Sequence, residues 1–187
     1  MQGDDKSESR HTALAKVKVW QWVALAFGLW TLNRGMLALF GEDSPYRAEH
    51  SLIGLVFLAL YTLTLTRRVS IQDALRFFGL AVIPCYLGTV LPDLDISLLG
   101  IGGHRNPIFH GCFAYIALWA VIGRRSQLAN RLVRGFGIGL ASHLLWDAWD
   151  YGDVRWISGG TKDRLWLITN GLVCLAPLPM QKHRHTP

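Results

Sequence analysis

Charge is what this chain has least of. Asp, Glu, Lys and Arg make up 17% of its 187 residues, against about 25% in ordinary soluble domains, while 51% are hydrophobic. That deficit excludes a normal soluble surface over most of the length and implies a membrane protein. Cysteine is scarce too: Cys85, Cys112 and Cys174 stand singly in apolar stretches. An odd count without C-x-x-C spacing argues against both a disulfide framework and a zinc–thiolate site, so the three read as small buried or lipid-facing hydrophobes. Period-2 alternation and hairpin signals are also missing, which disfavours a barrel. No internal repeat or low-complexity tract is present. The glycines of Gly135-x-Gly137-x-Gly139 follow no strand, so a nucleotide loop is excluded, and no nucleic-acid partner is expected.

What is present is a series of apolar segments, at 17–39, 50–66, 74–91, 108–123, 132–149 and 165–180. They imply an all-α fold, a polytopic helical membrane bundle with about five to six transmembrane helices. Residues 1–16 read as a polar tail, 17–182 as one membrane-embedded helical domain, and 183–187 as a basic C-terminal tail. The long polar lead and the lack of a small-x-small site speak against a cleaved signal peptide. Pro84 falls mid-segment and is expected to kink the third span. Arg34, a turn from the end of the first, is placed to snorkel to the headgroups. The eight Trp residues suit interfacial belts, with Trp146 and Trp149 also candidates to line a pocket.

Six spans place both termini and the loops at 67–73 and 124–131 on one side. That side collects thirteen of the nineteen Lys and Arg residues, and the other collects nine of the thirteen acids. Basic bias marks the cytoplasmic face. The expected location is therefore a plasma membrane, the inner membrane of a bacterium, with both termini cytoplasmic.

Against this apolar background, a few ionisable residues stand out, because such groups at membrane depth cost several kcal/mol and mark functional sites by default. They fall in Leu91-Pro92-Asp93-Leu94-Asp95, in His104-Arg105-Asn106-Pro107-Ile108-Phe109-His110 and in Ser142-His143-Leu144-Leu145-Trp146-Asp147, with His50 opening the second span. Taken singly, His50 reads as an interfacial histidine and Asp147 as a helix–helix hydrogen bond. Asp93-x-Asp95 alone could do no more than end a span. The span order, however, delivers all of them to the same, outer membrane face. His143 and Asp147, four apart, share one helical face, and Gly135 and Gly139 continue that stripe with residues small enough for close helix contact. Asp150 stays near the same face as a candidate supporting partner. Asp and His together are common ligands of zinc and similar divalent ions. The expected metal ligands are His50, Asp93, Asp95, His110, His143 and Asp147, for one or two ions, zinc first.

These pieces resemble the YdjM-like family, described as LexA-regulated, membrane-bound, predicted metal-dependent hydrolases. The resemblance covers residues 48–150 and rests on Glu49-His50-Ser51, the Pro-Asp-x-Asp of Pro92–Asp95, the His-Arg…His of His104–His110, and the Ser-His-x-x-x-Asp of Ser142–Asp147. Phe109-His110-Gly111 stands where the family has Thr-His-Ser, and Ile96 where it often has His. The resemblance implies metal-dependent hydrolysis. A phosphoester is the favoured substrate, small or lipid-linked, and membrane lipids are the surrounding partners. Arg105 is expected to clamp a phosphoryl group and His104 to protonate the leaving group. The rival reading is a non-catalytic membrane protein, either with a structural metal site or as a metal transporter. A transporter needs ionisable groups near the midplane and a route to the cytoplasmic side, and the cytoplasmic halves of these spans lack acids and histidines apart from the peripheral Asp73.

Overall fold

The computed structural model describes residues 19–41, 44–150 and 160–176, and every regular element in them is helical. The two tails, with Arg155 and Trp156, lie outside the described residues. The first helix, α1, spans Val19–Phe40. It buries only the stripe Leu29, Asn33, Met36 and Leu37 and leaves Trp20, Trp22, Phe27 and Trp30 exposed. The buried positions recur at helical spacing, so one face meets the bundle. Helix α2, Pro45–Leu65, starts with Pro at its first position, where a missing N–H costs nothing. Helix α3, Ile71–Val90, is capped by Ser70, whose Oγ accepts from the Asp73 N–H at 3.1 Å. It continues through Pro84 to Val90.

After a turn at Leu91–Asp93 comes the short α4, Leu94–Leu99, then a 3-10 turn at Ile101–Gly103. Helix α5 covers Phe113–Leu118 and runs on as a π-turn over Trp119–Gly123. Helix α6, Gln127–Trp149, is capped by Ser126, and α7 covers Thr161–Leu175.

Helix α6 is the centre of the molecule: from Val133 to Leu144 every residue is buried. It packs against α2, α3 and α7, and glycine sets how closely. A Cβ on Gly139 would strike the carbonyl of Cys85, and one on Gly88 would strike the carbonyl of Phe136. Leu55, Leu58, Phe77, Ala81 and Ile138 form one core on the α2–α3 side. Tyr115, Leu140, Leu144 and Leu167 form a second on the α5–α7 side.

Among the described residues, three helical stretches are long and apolar enough to cross a membrane, Trp20–Phe40, Pro45–Leu65 and Ile71–Leu99, which points to membrane association. The expected fourth span is shorter than its apolar run, because the helix begins at Phe113 and not at residue 108. Asn106 instead closes a separate turn ahead of it: its Oδ1 accepts from the Ile108 N–H at 2.9 Å, and its carbonyl from the His110 N–H at 2.8 Å. That turn does not run on into the helix, because the chain bends at residues 111 and 112.

Candidate metal centre

Every predicted ligand comes to one end of the bundle. His50 lies near the start of α2, Asp93 at the turn after α3, Asp95 in the first turn of α4, and His143 and Asp147 near the end of α6. The loop after the 3-10 turn supplies His104 and His110. Three overlapping triads, His50–His143–Asp147, Asp93–His110–His143 and Asp95–His104–His110, each hold ligand atoms within 4.8 Å of one another.

Two of the imidazoles are oriented by backbone. Nδ1 of His143 lies 2.7 Å from the Thr89 carbonyl, and Nδ1 of His50 lies 2.9 Å from the Tyr46 carbonyl. A carbonyl only accepts, so each Nδ1 carries the hydrogen and each neutral ring turns a bare Nε2 lone pair inward. Nε2 of His50 is 3.2 Å from Asp147 Oδ1, while Nε2 of His143 is 3.4 Å from Asp147 Oδ2 and 3.7 Å from Asp93 Oδ1. His110 places Nε2 3.3 Å from the same Asp147 Oδ2 and Nδ1 3.2 Å from Asp95 Oδ2.

Both nitrogens of His110, Nε2 of His143 and Oδ2 of Asp147 are buried, and none has a hydrogen bond of acceptable geometry. Lone pairs facing a carboxylate in a dry interior repel unless a cation lies between them. The spacing suits one: ligands about 2.0–2.1 Å from a tetrahedral zinc stand about 3.3 Å apart. The residues present therefore fit a divalent ion at the triads, with His50, His143 and Asp147 forming one and Asp93, His110 and His143 another beside it.

Asp95 has a different position. It is fully buried; Oδ1 faces Nδ1 of His104 at 3.1 Å, and Oδ2 accepts the Asn106 N–H at 3.0 Å beside Nδ1 of His110. It stands behind His110, where a carboxylate fixes ring orientation and raises ligand basicity. His110 lies on the loop, outside the long apolar helices. Burial pulls its pKa down, but the Asp147 and Asp95 carboxylates outweigh that and push it up to about 9. The nest demands positive charge, whether proton or metal.

Arg105 takes a left-handed backbone conformation, φ 62°, uncommon for a residue with a side chain. Its guanidinium is buried, with Nε 3.9 Å from Asp147 Oδ2, Nη1 4.0 Å from Asp163 Oδ2, and Nη2 donating to the Asp147 carbonyl at 3.5 Å. The group expected to clamp a phosphoryl is thus turned onto two carboxylates inside the protein. Trp146 donates to Glu49 at 3.1 Å, whereas Trp149 and Asp150 stand exposed at the end of α6.

Several residues at the site were not singled out from sequence. Asp163 is 1% exposed yet sits in Lys162-Asp163-Arg164, a run with the composition of a solvated loop. Trp166 donates to the His110 carbonyl at 2.8 Å, and Asn170 accepts the Cys112 N–H at 2.9 Å, pinning the loop to α7. Asn33 and Ser51 join α1 to α2 one residue from His50, through Ser51 Oγ donating to Asn33 Oδ1 at 2.6 Å and Asn33 donating to the Ala48 carbonyl at 2.9 Å. Asn33 showed in the sequence only as polarity inside an apolar run, and Ser51 only as part of Glu49-His50-Ser51.

The centre is closed on most sides. The side chains of His110, His143 and Asp95 are fully buried, whereas those of His50, Asp93 and His104 are 15, 16 and 19% exposed. Three of the polar groups therefore border water or lipid on an open side.

A family model described as a domain of unknown function, DUF5942, matches residues 53–186. The chain belongs to that family. The match takes in all of the site residues above except Tyr46, Glu49, His50 and the α1–α2 clamp. No curated protein and no solved structure matches the chain.

Proposed function

For this DUF5942 member we propose a membrane-bound, metal-dependent hydrolase whose Asp/His centre faces the outside of the membrane and acts on a phosphoester, small or lipid-linked. One observation carries the metal: imidazole nitrogens of three histidines converge on the Asp147 carboxylate, and those of His110 and His143 are buried without a hydrogen bond. The partial exposure of His50, Asp93 and His104 supports catalysis over a structural site, since a structural zinc is fully enclosed by protein ligands and a catalytic one keeps an open position. The resemblance to the YdjM-like family supports the same reading.

A divalent ion held here, zinc first and one or two in number, would supply Lewis-acid activation of water near neutral pH. The chain's own residues do the rest. Thr89 and Tyr46 set the tautomers of His143 and His50, and Asp95 orients His110. Arg105 holds Asp147 in place by contacts to its carboxylate and its carbonyl. His104, with Nδ1 on Asp95, carries its other nitrogen on the partly exposed side and is our candidate proton donor to the leaving group. Helix α6 is long enough to cross a membrane with its polar residues inside the bundle, and α7 flanks it. This supports a polytopic bundle of about five to six membrane helices, with α5 reaching only part of the way. The basic bias of the opposite loops supports an outward-facing centre.

The test is metal analysis of detergent-purified protein paired with a phosphoester and lipid panel. Wild type is expected to carry divalent metal and turn over at least one substrate, while Asp147→Ala loses both. Full metal content in Asp147→Ala would overturn the ligand assignment. Metal-bearing protein that cleaves nothing and unfolds on metal removal would mark the centre as structural.

A further inference from the structure

The segment carrying Asp95, His104 and His110 has two unlike faces. Inward, Asp95, Gly103, Arg105, Asn106 and His110 are buried. Outward, Leu98, Leu99, Ile101 and Ile108 are 68, 52, 65 and 69% exposed. From Leu94 to Gly103 the one ionisable side chain is Asp95, which points in. The outer face is therefore uncharged and aliphatic, an arrangement that a surface facing water alone does not favour.

Its depth follows from the helix that leads to it. The 20 residues of α3 rise about 30 Å, which is about the thickness of a bilayer's hydrocarbon core. The apolar stretch continues past the Pro92 turn to Leu99. Residues 94–108 thus begin about where the hydrocarbon would end, next to a helix whose face away from the bundle, with Leu80, Ile83 and Leu87, is exposed and apolar. A water-facing loop at that level would be polar.

We propose that the outward face of residues 94–108 is an interfacial cap, seated in the boundary between lipid headgroups and acyl chains, and that the centre beneath it takes an amphiphile anchored in the same leaflet. The cap stands on exposure and depth alone; the amphiphile also rests on the hydrolase reading. An aliphatic rim would hold acyl chains while His50, Asp93 and His104 meet the headgroup, whereas a fully water-soluble substrate would have no use for it.

The cap is tested without reference to activity. Leu98→Cys, Ile101→Cys and Ile108→Cys are made singly with the three buried native cysteines replaced by alanine, then labelled with a small fluorophore in phosphatidylcholine vesicles. Phosphatidylcholine bearing a nitroxide near the headgroup is expected to quench all three several-fold more than a label at Arg125→Cys, with iodide showing the reverse order. Equal lipid quenching at all four positions would overturn the cap. The amphiphile is tested with Ile101→Asp, assayed on para-nitrophenyl phosphate in water and on phosphatidic acid in the same vesicles. A several-fold loss confined to the vesicle substrate supports it, and equal loss on both overturns it. Turnover of neither by wild type defeats the amphiphile and the phosphoester reading together, while the quenching result still decides the cap.

Discussion

A carbonyl oxygen cannot donate a hydrogen bond, and at two positions this decides what the site can bind. Thr89 and Tyr46 oblige His143 and His50 to present Nε2 as lone pairs, so neither ring is free to satisfy Asp147 by donating in its neutral form. Asp95 places a carboxylate oxygen 3.2 Å from Nδ1 of His110, behind that ring. Replacing such an orienting group typically weakens metal binding about 10–100-fold. Asp95→Asn is accordingly expected to fold, to bind zinc by that factor more weakly in a chelator competition, and to keep its helical circular dichroism. Unaltered affinity would remove Asp95 from the support of the centre. At this scale the acids and histidines were legible because an ionisable group in an apolar run has few innocent explanations. The carbonyls were not, because every residue has one. Asp163 was hidden by its charged neighbours, although burial beside Arg105 makes it part of the same network.

The elements meet where side chains are smallest. Helices α3 and α6 lie so close that Gly88 and Gly139 face opposing backbone, and that contact holds the Thr89 carbonyl against His143. Overfilling a packed interior typically costs about 1–3 kcal/mol. Gly88→Ala and Gly139→Ala are each expected to lose that much in thermal or denaturant unfolding. Gly28→Ala, where nothing lies within 4 Å, is expected to lose none. Equal stability in all three would mean that the helices are not in close contact. The small-residue stripe at Gly135 and Gly139 was readable from its spacing. The start of α5 was not, since Ile108 and Phe109 are as apolar as the helix they precede, and apolarity does not register the bend at residues 111 and 112 that separates them from it.

For the whole molecule, the centre joins α2, α3, α6 and the loop before α5 at one end, so a bound ion is expected to stabilise all of them together. A ligand at about 100 times its Kd adds about 2.7 kcal/mol. Stripping metal with EDTA is expected to lower the melting temperature in detergent, and added zinc to restore it. A melting temperature indifferent to both would mean that the cluster holds no ion. The predicted six-span pattern follows apolar runs, while three stretches meet the length and apolarity needed to cross alone. The difference lies in α6, whose polar residues are buried inside the bundle, and in the shortness of α5 and of α7, whose described helix has 15 residues. Hydropathy registers what a residue is and not which way it faces.

His50 and Asp147 are 97 residues apart in the chain and 3.2 Å apart at the centre. During synthesis, the last ligand leaves the ribosome long after the first has entered the membrane. No partial product ending before Asp147 can assemble the set, however well its early helices insert. The His50–His143–Asp147 triad therefore forms only once α6 is made, whereas Asp95, His104 and His110 are all in the chain by residue 110.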